Sequence, residues 1–166
     1  MTRRFSSSLI GAAIAAVALS SCGTLDTSAA AVVNGLTLTH DQLVVVAQSP
    51  LAGGPILGPA VEGDATRRII TVWVRNAALE GSGIIDGVDL EAIRAEIAAA
   101  LGPQFEESDP FAQDLLIRNQ AVIEAIEQGL ADEEAAIELV TSAEVEIDAR
   151  YGRWSPDDLA VVPFGG

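Results

Sequence analysis

Few residues in this chain carry reactive chemistry, and Cys22 is the first of them. It is the only cysteine of the sequence and it ends the tetrad Leu19-Ser20-Ser21-Cys22. A thiol can act as a nucleophile, bind a metal or be covalently modified. Because no second cysteine is available, a disulfide within the chain is excluded. The residues around Cys22 therefore decide its role.

The sequence before Cys22 has the organisation of a secretory leader. Arg3 and Arg4 precede an apolar run from Leu9 to Leu19, which ends in small residues. The run is shorter than the roughly 20 apolar residues of a transmembrane helix. The tetrad resembles a bacterial lipobox, and the resemblance implies that residues 1–21 are removed and that Cys22 receives diacylglycerol. An ordinary cleaved signal with a nearby free cysteine is the alternative.

The other titratable residues do not assemble a catalytic or metal-binding set. His40 is the only histidine and lies in a helix-capping sequence, so a role in the first helical turn is favoured over that of a general base or metal ligand. Asp86, Asp89 and Glu91 match only part of a calcium-loop pattern, and helix capping explains them better. The sequence has neither a G-x-S-x-G elbow nor a phosphate-binding loop. We expect no enzymatic activity and no cofactor except the lipid on Cys22.

Charge limits the partners of the protein. The 166 residues carry a formal net charge of −15 at pH 7, and all basic residues are arginines. An acidic surface repels phosphate backbones, so nucleic acid is not an expected partner. The same charge disfavours contact with anionic lipid headgroups. We therefore expect the protein to contact the membrane through its lipid anchor only.

Hydrophobic patterning after the leader predicts a mainly α domain of about five helices, with short N- and C-terminal strands that pair. Capping and breaking residues place the helices at about 39–48, 64–80, 89–101, 110–128 and 132–142. Strand signals lie at Ala31–Val33, before the turn pair Asn34-Gly35, and at 145–149. We expect a signal peptide at 1–21, a lipidated tether at 22–30, the helical domain at 31–158 and a C-terminal tail at 159–166.

Several of these segments follow one another in an informative order. They are Ala31-Val32-Val33-Asn34-Gly35, Thr39-His40-Asp41-Gln42-Leu43, the helix 66–80, Gly83-Ile84, the helix from Asp89, and the stretch from Val145 to Trp154. This set resembles the N-terminal chaperone domain of SurA-type folding factors. The resemblance implies that the terminal strands pair and that the helices form a cradle for unfolded polypeptide. Many relatives also carry a parvulin isomerase domain with paired histidines, which is not expected in a chain with one histidine.

The candidate peptide-contacting residues come from the apolar helix faces and from the last segment. Residues suited to line a cradle, or alternatively to fill the core, are Trp73, Ile70, Phe111, Leu115 and Ile126. Tyr151 and Trp154, beside two arginines, are suited either to recognition of a partner or to closing the core.

These features together predict a lipid-anchored module on the extracytoplasmic face of the cell membrane. Its expected activity is chaperone-like and non-catalytic binding of unfolded or extended polypeptide. The alternative is an accessory lipoprotein that docks one specific protein of the cell envelope.

Overall fold

The computed structural model describes residues 28–53 and 65–165, so the predicted leader and Cys22 lie outside the described residues. The described part is mainly helical, with two small antiparallel sheets. Its elements are β1 (Ala29–Val33), β2 (Leu36–Thr39), α1 (His40–Gln48), a short 3-10 helix (Pro50–Gly53), α2 (Ala65–Ala78), α3 (Leu90–Leu101), α4 (Pro103–Glu106), α5 (Pro110–Glu127), α6 (Glu133–Ser142), β3 (Val145–Ile147), β4 (Arg153–Ser155) and β5 (Ala160–Val162).

The larger sheet has the strand order β2-β1-β3 and joins the two ends of the domain. Asn34 and Gly35 both have positive φ, +48° and +85°, as a two-residue hairpin turn of type I′ requires. The Asn34 backbone N–H donates to the Glu144 carbonyl, and its side-chain oxygen accepts from the Glu144 N–H, both at 3.0 Å. Val33 consequently lies opposite Val145, and the expected pairing of the terminal strands is confirmed.

Side-chain caps begin the helices where the sequence predicts them. Thr39 and Gln42 form a reciprocal capping box at the start of α1. Asp89 accepts hydrogen bonds from the N–H groups of Glu91 and Ala92, and Asp132 accepts from that of Ala135. Asp89 is therefore a helix cap. One helix was not expected, because Pro103 does not simply end α3 but is the first residue of α4.

The core lies between the larger sheet, α1, α2 and α5. The largest fully buried side chains are Leu38, Leu51, Ile69, Ile70, Val33, Val46 and Val74. The helix α5 contacts both α2 and α3, so side chains on more than one of its faces are buried. Ile117, Ala121 and Ala125 are buried there, whereas Ile123 is exposed.

The ends of the domain differ from the expected boundaries. Residues 159–166 were expected to form a tail, but β5 pairs with β4, and Trp154 lies opposite the buried Val161. At the other end, Ala29 and Ala30 are buried in β1 and do not belong to a tether. Both corrections have the same cause, since these short strands are held by contacts with residues distant in sequence. The domain therefore extends beyond the expected range 31–158 at both ends.

Candidate functional site: an apolar groove with a charged rim

A groove of about 280 Å³ lies between β2, α2 and α5. Its apolar lining consists of Trp73 and Ala77 from α2, Phe111 and Leu115 from α5, and Leu36 from β2. Ligand pockets of about 300–1,000 Å³ are typical for small molecules. The groove is slightly smaller than that range, so it suits one or two side chains rather than a long stretch of chain.

Helical spacing places these residues on facing surfaces. Trp73 and Ala77 are four residues apart on α2, and Phe111 and Leu115 are four apart on α5, so each pair lies on one face of its helix. Asn76 Nδ2 donates to the Leu115 carbonyl oxygen at 3.1 Å. This bond between α2 and α5 fixes the distance between the two walls.

The rim of the groove carries an ion-pair network centred on Arg118. Its Nη1 is 2.5 Å from Glu80 Oε2, and its Nε is 2.7 Å from Asp114 Oδ2. Burial disfavours the charged guanidinium, but the hydrogen bond that Arg118 donates to Asp114 and the charges of Asp114 and Glu80 outweigh it and raise the pKa of Arg118. Two carboxylates and one guanidinium leave the rim with one net negative charge.

The structure divides the predicted peptide-contacting residues into three groups. Trp73, Phe111 and Leu115 come together in the groove, and Trp73 and Leu115, which are 8% and 4% exposed, also belong to the core. Ile70 is completely buried, so its prediction as a peptide contact is wrong: its side chain belongs to the core. Ile126 packs against the core and does not line the groove.

Tyr151 and Trp154 also lie outside the groove. Trp154 packs against the core, and its Nε1 is buried without a hydrogen-bond partner among the described residues. The Tyr151 hydroxyl is 3.0 Å from Nδ1 of His40, at the start of α1. Both residues therefore close the domain near its last strands, and neither contributes to the groove.

His40 belongs to a hydrogen-bonded cluster that ties α1 to the segment after β3. Its Nε2 lies 2.5 Å from Nη2 of Arg150. A guanidinium can only donate, so Nε2 accepts and Nδ1 donates to Tyr151. Arg150 also binds both carboxylate oxygens of Asp148. The side-chain hydrogen bond from Arg150 is the main cause that lowers the pKa of Asp148 to about 2, against the opposing effect of burial.

The polar residues of the groove were not predicted from the sequence. Asn76 and Glu80 are four residues apart on α2, as are Asp114 and Arg118 on α5. Asn76 comes three residues after Trp73, and Asp114 comes three residues after Phe111. This spacing predicts that each polar pair lies on the same helix face as its aromatic residue. No comparable signal exists for Leu36 and Thr37, because their place in the groove depends on how the hairpin packs against α2.

Comparison with protein-family models, with curated proteins and with solved structures finds no match for this chain. Within residues 28–53 and 65–165, no helix combines the length and apolar character needed to cross a membrane.

Proposed function

We propose that the protein is a non-catalytic, lipid-anchored module that binds unfolded or extended polypeptide on the extracytoplasmic face of the cell membrane. The observation that supports this most directly is the convergence of Trp73, Phe111 and Leu115 in one groove between α2 and α5. Aromatic residues of this kind dominate the energetics of binding surfaces. An apolar side chain of the client would fill the space between α2 and α5.

The size of the groove implies weak and reversible binding. Burying one large apolar side chain contributes about 1.5–3 kcal/mol, and contact with an aromatic ring adds about 0.5–1.5 kcal/mol. A dissociation constant of 1 mM corresponds to about 4 kcal/mol. A single anchor therefore gives about millimolar affinity at best, which suits transient holding of a client. Many modules on one membrane would raise the effective concentration.

Two features support the proposed location and client charge. The leader and the lipobox-like tetrad ending in Cys22 support the proposed lipid anchor. The net charge of −15 favours the approach of basic clients and keeps loaded complexes soluble. The groove then supplies the apolar contact that electrostatic attraction alone does not give.

Two matched phenylalanine variants test the proposal. Phe111 lines the groove, whereas Phe164 is exposed near the end of the described chain. Phe111→Ala is expected to weaken client binding about tenfold, since it removes roughly half of the aromatic wall. Phe164→Ala removes the same side chain elsewhere and is expected to leave binding unchanged.

Suppression of aggregation measures this difference with several unrelated unfolded clients. Circular dichroism of each variant verifies that the fold is retained. The proposal predicts suppression by the wild type and by Phe164→Ala, and much weaker suppression by Phe111→Ala. Equal activity of the two variants would contradict it.

The small volume of the groove favours a second candidate, docking of one defined envelope protein. A groove of about 280 Å³ accepts one anchor side chain, as a specific partner would present. Under this alternative the mature protein captures one partner from solubilised membranes at a fixed stoichiometry and does not suppress the aggregation of unrelated clients. Suppression without regard to client identity supports the chaperone-like function instead.

A further inference from the structure

The groove is continuous with an open edge of the larger sheet. The strand order β2-β1-β3 gives β2 one hydrogen-bonded neighbour among the described strands. Leu36 and Thr37 of β2 are exposed and form one wall of the groove. An edge strand presents unpaired N–H and C=O groups that can pair with another chain. A ligand in the groove therefore lies beside a free strand edge.

The hairpin register shows which backbone groups face outward. Val33 lies opposite Leu36 across the two-residue turn, and Val32 lies opposite Thr37. Residues that flank a two-residue turn form a hydrogen-bonded pair, and such pairs alternate with non-hydrogen-bonded ones. Thr37 belongs to a non-hydrogen-bonded pair, so its N–H and C=O point away from β1. The outer edge thus offers one donor and one acceptor at a residue that also lines the groove.

The rim adds a preference for charge. Arg118 engages Oε2 of Glu80 and Oδ2 of Asp114. Within residues 28–53 and 65–165, no hydrogen bond engages the second oxygen of either carboxylate. A basic side chain at the mouth of the groove therefore has acceptors available and meets a net negative charge.

We infer that the occupant is an extended segment of a partner polypeptide that adds to the edge of β2, with one apolar side chain against Trp73 and a lysine or arginine at the rim. Alternate side chains of a strand share a face and are about 7 Å apart. The basic residue is therefore two positions from the apolar anchor and reaches Glu80 or Asp114. This inference rests on the proposed function and specifies the conformation and sequence of its client.

Backbone N-methylation of a probe peptide tests the strand pairing. The probe is a blocked peptide with a central phenylalanine, a valine on each side and a lysine next to each valine. In a strand, alternate amides face opposite edges, so only one of two alternate methylation patterns removes a bond to β2. We expect that pattern to weaken binding to the full chain about tenfold, and the other to leave it within about twofold. Equal affinities of the two methylated peptides would overturn the inference.

Two variants of Thr37 give an independent test from the side of the protein. Thr37→Pro removes the outward N–H, and proline is tolerated where an edge-strand N–H faces solvent. Thr37→Val retains that N–H and serves as the matched control. We expect about tenfold weaker peptide binding for Thr37→Pro only. If Thr37→Pro does not fold, the methylation comparison decides alone.

Replacing both lysines of the probe by glutamate tests the role of the rim. The expected effect is about fivefold weaker binding at low salt, with the difference disappearing at high salt. Equal binding of the two probes at low salt would overturn the assignment of Glu80 and Asp114 as contacts for a basic residue.

Further outcomes separate this inference from the proposed function. If both methylated peptides bind equally but Phe111→Ala still weakens binding about tenfold, the edge pairing is wrong and the proposed function stands. If Phe111→Ala leaves peptide binding unchanged, the proposed function itself fails. A concentration-dependent dimer that Thr37→Pro dissociates would identify a second copy of this chain as the occupant and overturn the inference.

Discussion

The buried Thr71 hydroxyl helps to hold the C-terminal hairpin on α2, together with the bond from Arg75 Nε to the Leu159 carbonyl oxygen, and removal of the hydroxyl has a calculable effect. Thr71 Oγ1 accepts from the Val161 N–H at 2.9 Å and donates to the Arg67 carbonyl at 2.8 Å. Trp154 and Val161 lie opposite each other in the hairpin β4–β5, and the Val161 N–H points toward α2 instead of toward β4. The Thr71 hydroxyl is therefore the acceptor for a backbone donor that is almost inaccessible to water.

Thr71→Val removes this acceptor and preserves the shape of the side chain. Val161 is 6% exposed and Thr71 is 9% exposed, so water does not replace the lost bond without local opening. Leaving a buried donor unsatisfied costs about 1–3 kcal/mol. Both residues are β-branched, so the change in helix propensity is small. We expect the free energy of unfolding to fall by about 2 kcal/mol.

Urea denaturation of the purified protein measures this loss, and Thr141→Val is the matched control. The Thr141 hydroxyl makes the same kind of bond to a carbonyl one turn earlier, that of Ile137 at 2.9 Å, on the exposed side of α6. Its replacement is expected to change stability by less than about 0.5 kcal/mol. Hydrogen exchange at the Val161 amide should also accelerate in Thr71→Val. Equal stability of the two variants would refute this account of how β5 is attached.

Three further perturbations test other parts of the structure. Asp148→Asn removes an ion pair whose carboxylate has a pKa of about 2, compared with 3.8 for an isolated group. Because the folded pKa is lowered, the stabilisation is present above about pH 4 and is lost as the pH falls toward 2. The lowered pKa corresponds to a stabilisation of about 2 kcal/mol, which solvent screening reduces to about 1 kcal/mol because the Arg150 side chain is 64% exposed. The urea midpoint of Asp148→Asn should therefore vary less with pH over that interval than the midpoint of the wild type. Gly152→Ala should cost at least about 2 kcal/mol, because φ is +124° and a Cβ would clash with the Val162 carbonyl, whereas Gly129→Ala has open space and should lose about 1 kcal/mol in the same denaturation assay. Cys22→Ser should move the protein from the membrane to the soluble fraction in cell fractionation, and retention at the membrane would contradict lipid anchoring.

Local signals in the sequence predicted the helix starts and the first turn correctly. Capping by Thr39, Asp89 and Asp132 depends on residues two or three positions away, so the pattern is readable from the sequence. The turn at Asn34-Gly35 likewise requires only positive φ at two adjacent residues. These features follow from backbone chemistry within a few residues.

The C-terminal hairpin and the limits of the groove depend on distant contacts. Thr71 and Val161 are 90 positions apart, and no periodicity in a three-residue strand indicates that pairing. Ile70 and Trp73 lie on the same apolar region of α2 and both are buried, but only Trp73 also lines the groove. Which residue reaches the groove depends on what packs over α2, and that requires the three-dimensional arrangement of β2 and α5.

The fluorescence of Trp73 reports whether polypeptide binds in the groove. The chain has two tryptophans, so Trp154→Phe leaves Trp73 in the groove as the only indole. Titration with a tryptophan-free, permanently unfolded client is predicted to change the Trp73 emission in a saturable manner, and the additional change Phe111→Ala should shift that response to about tenfold higher client concentration. Client binding detected by sedimentation with no change in Trp73 emission would show that polypeptide binds elsewhere and would contradict the account.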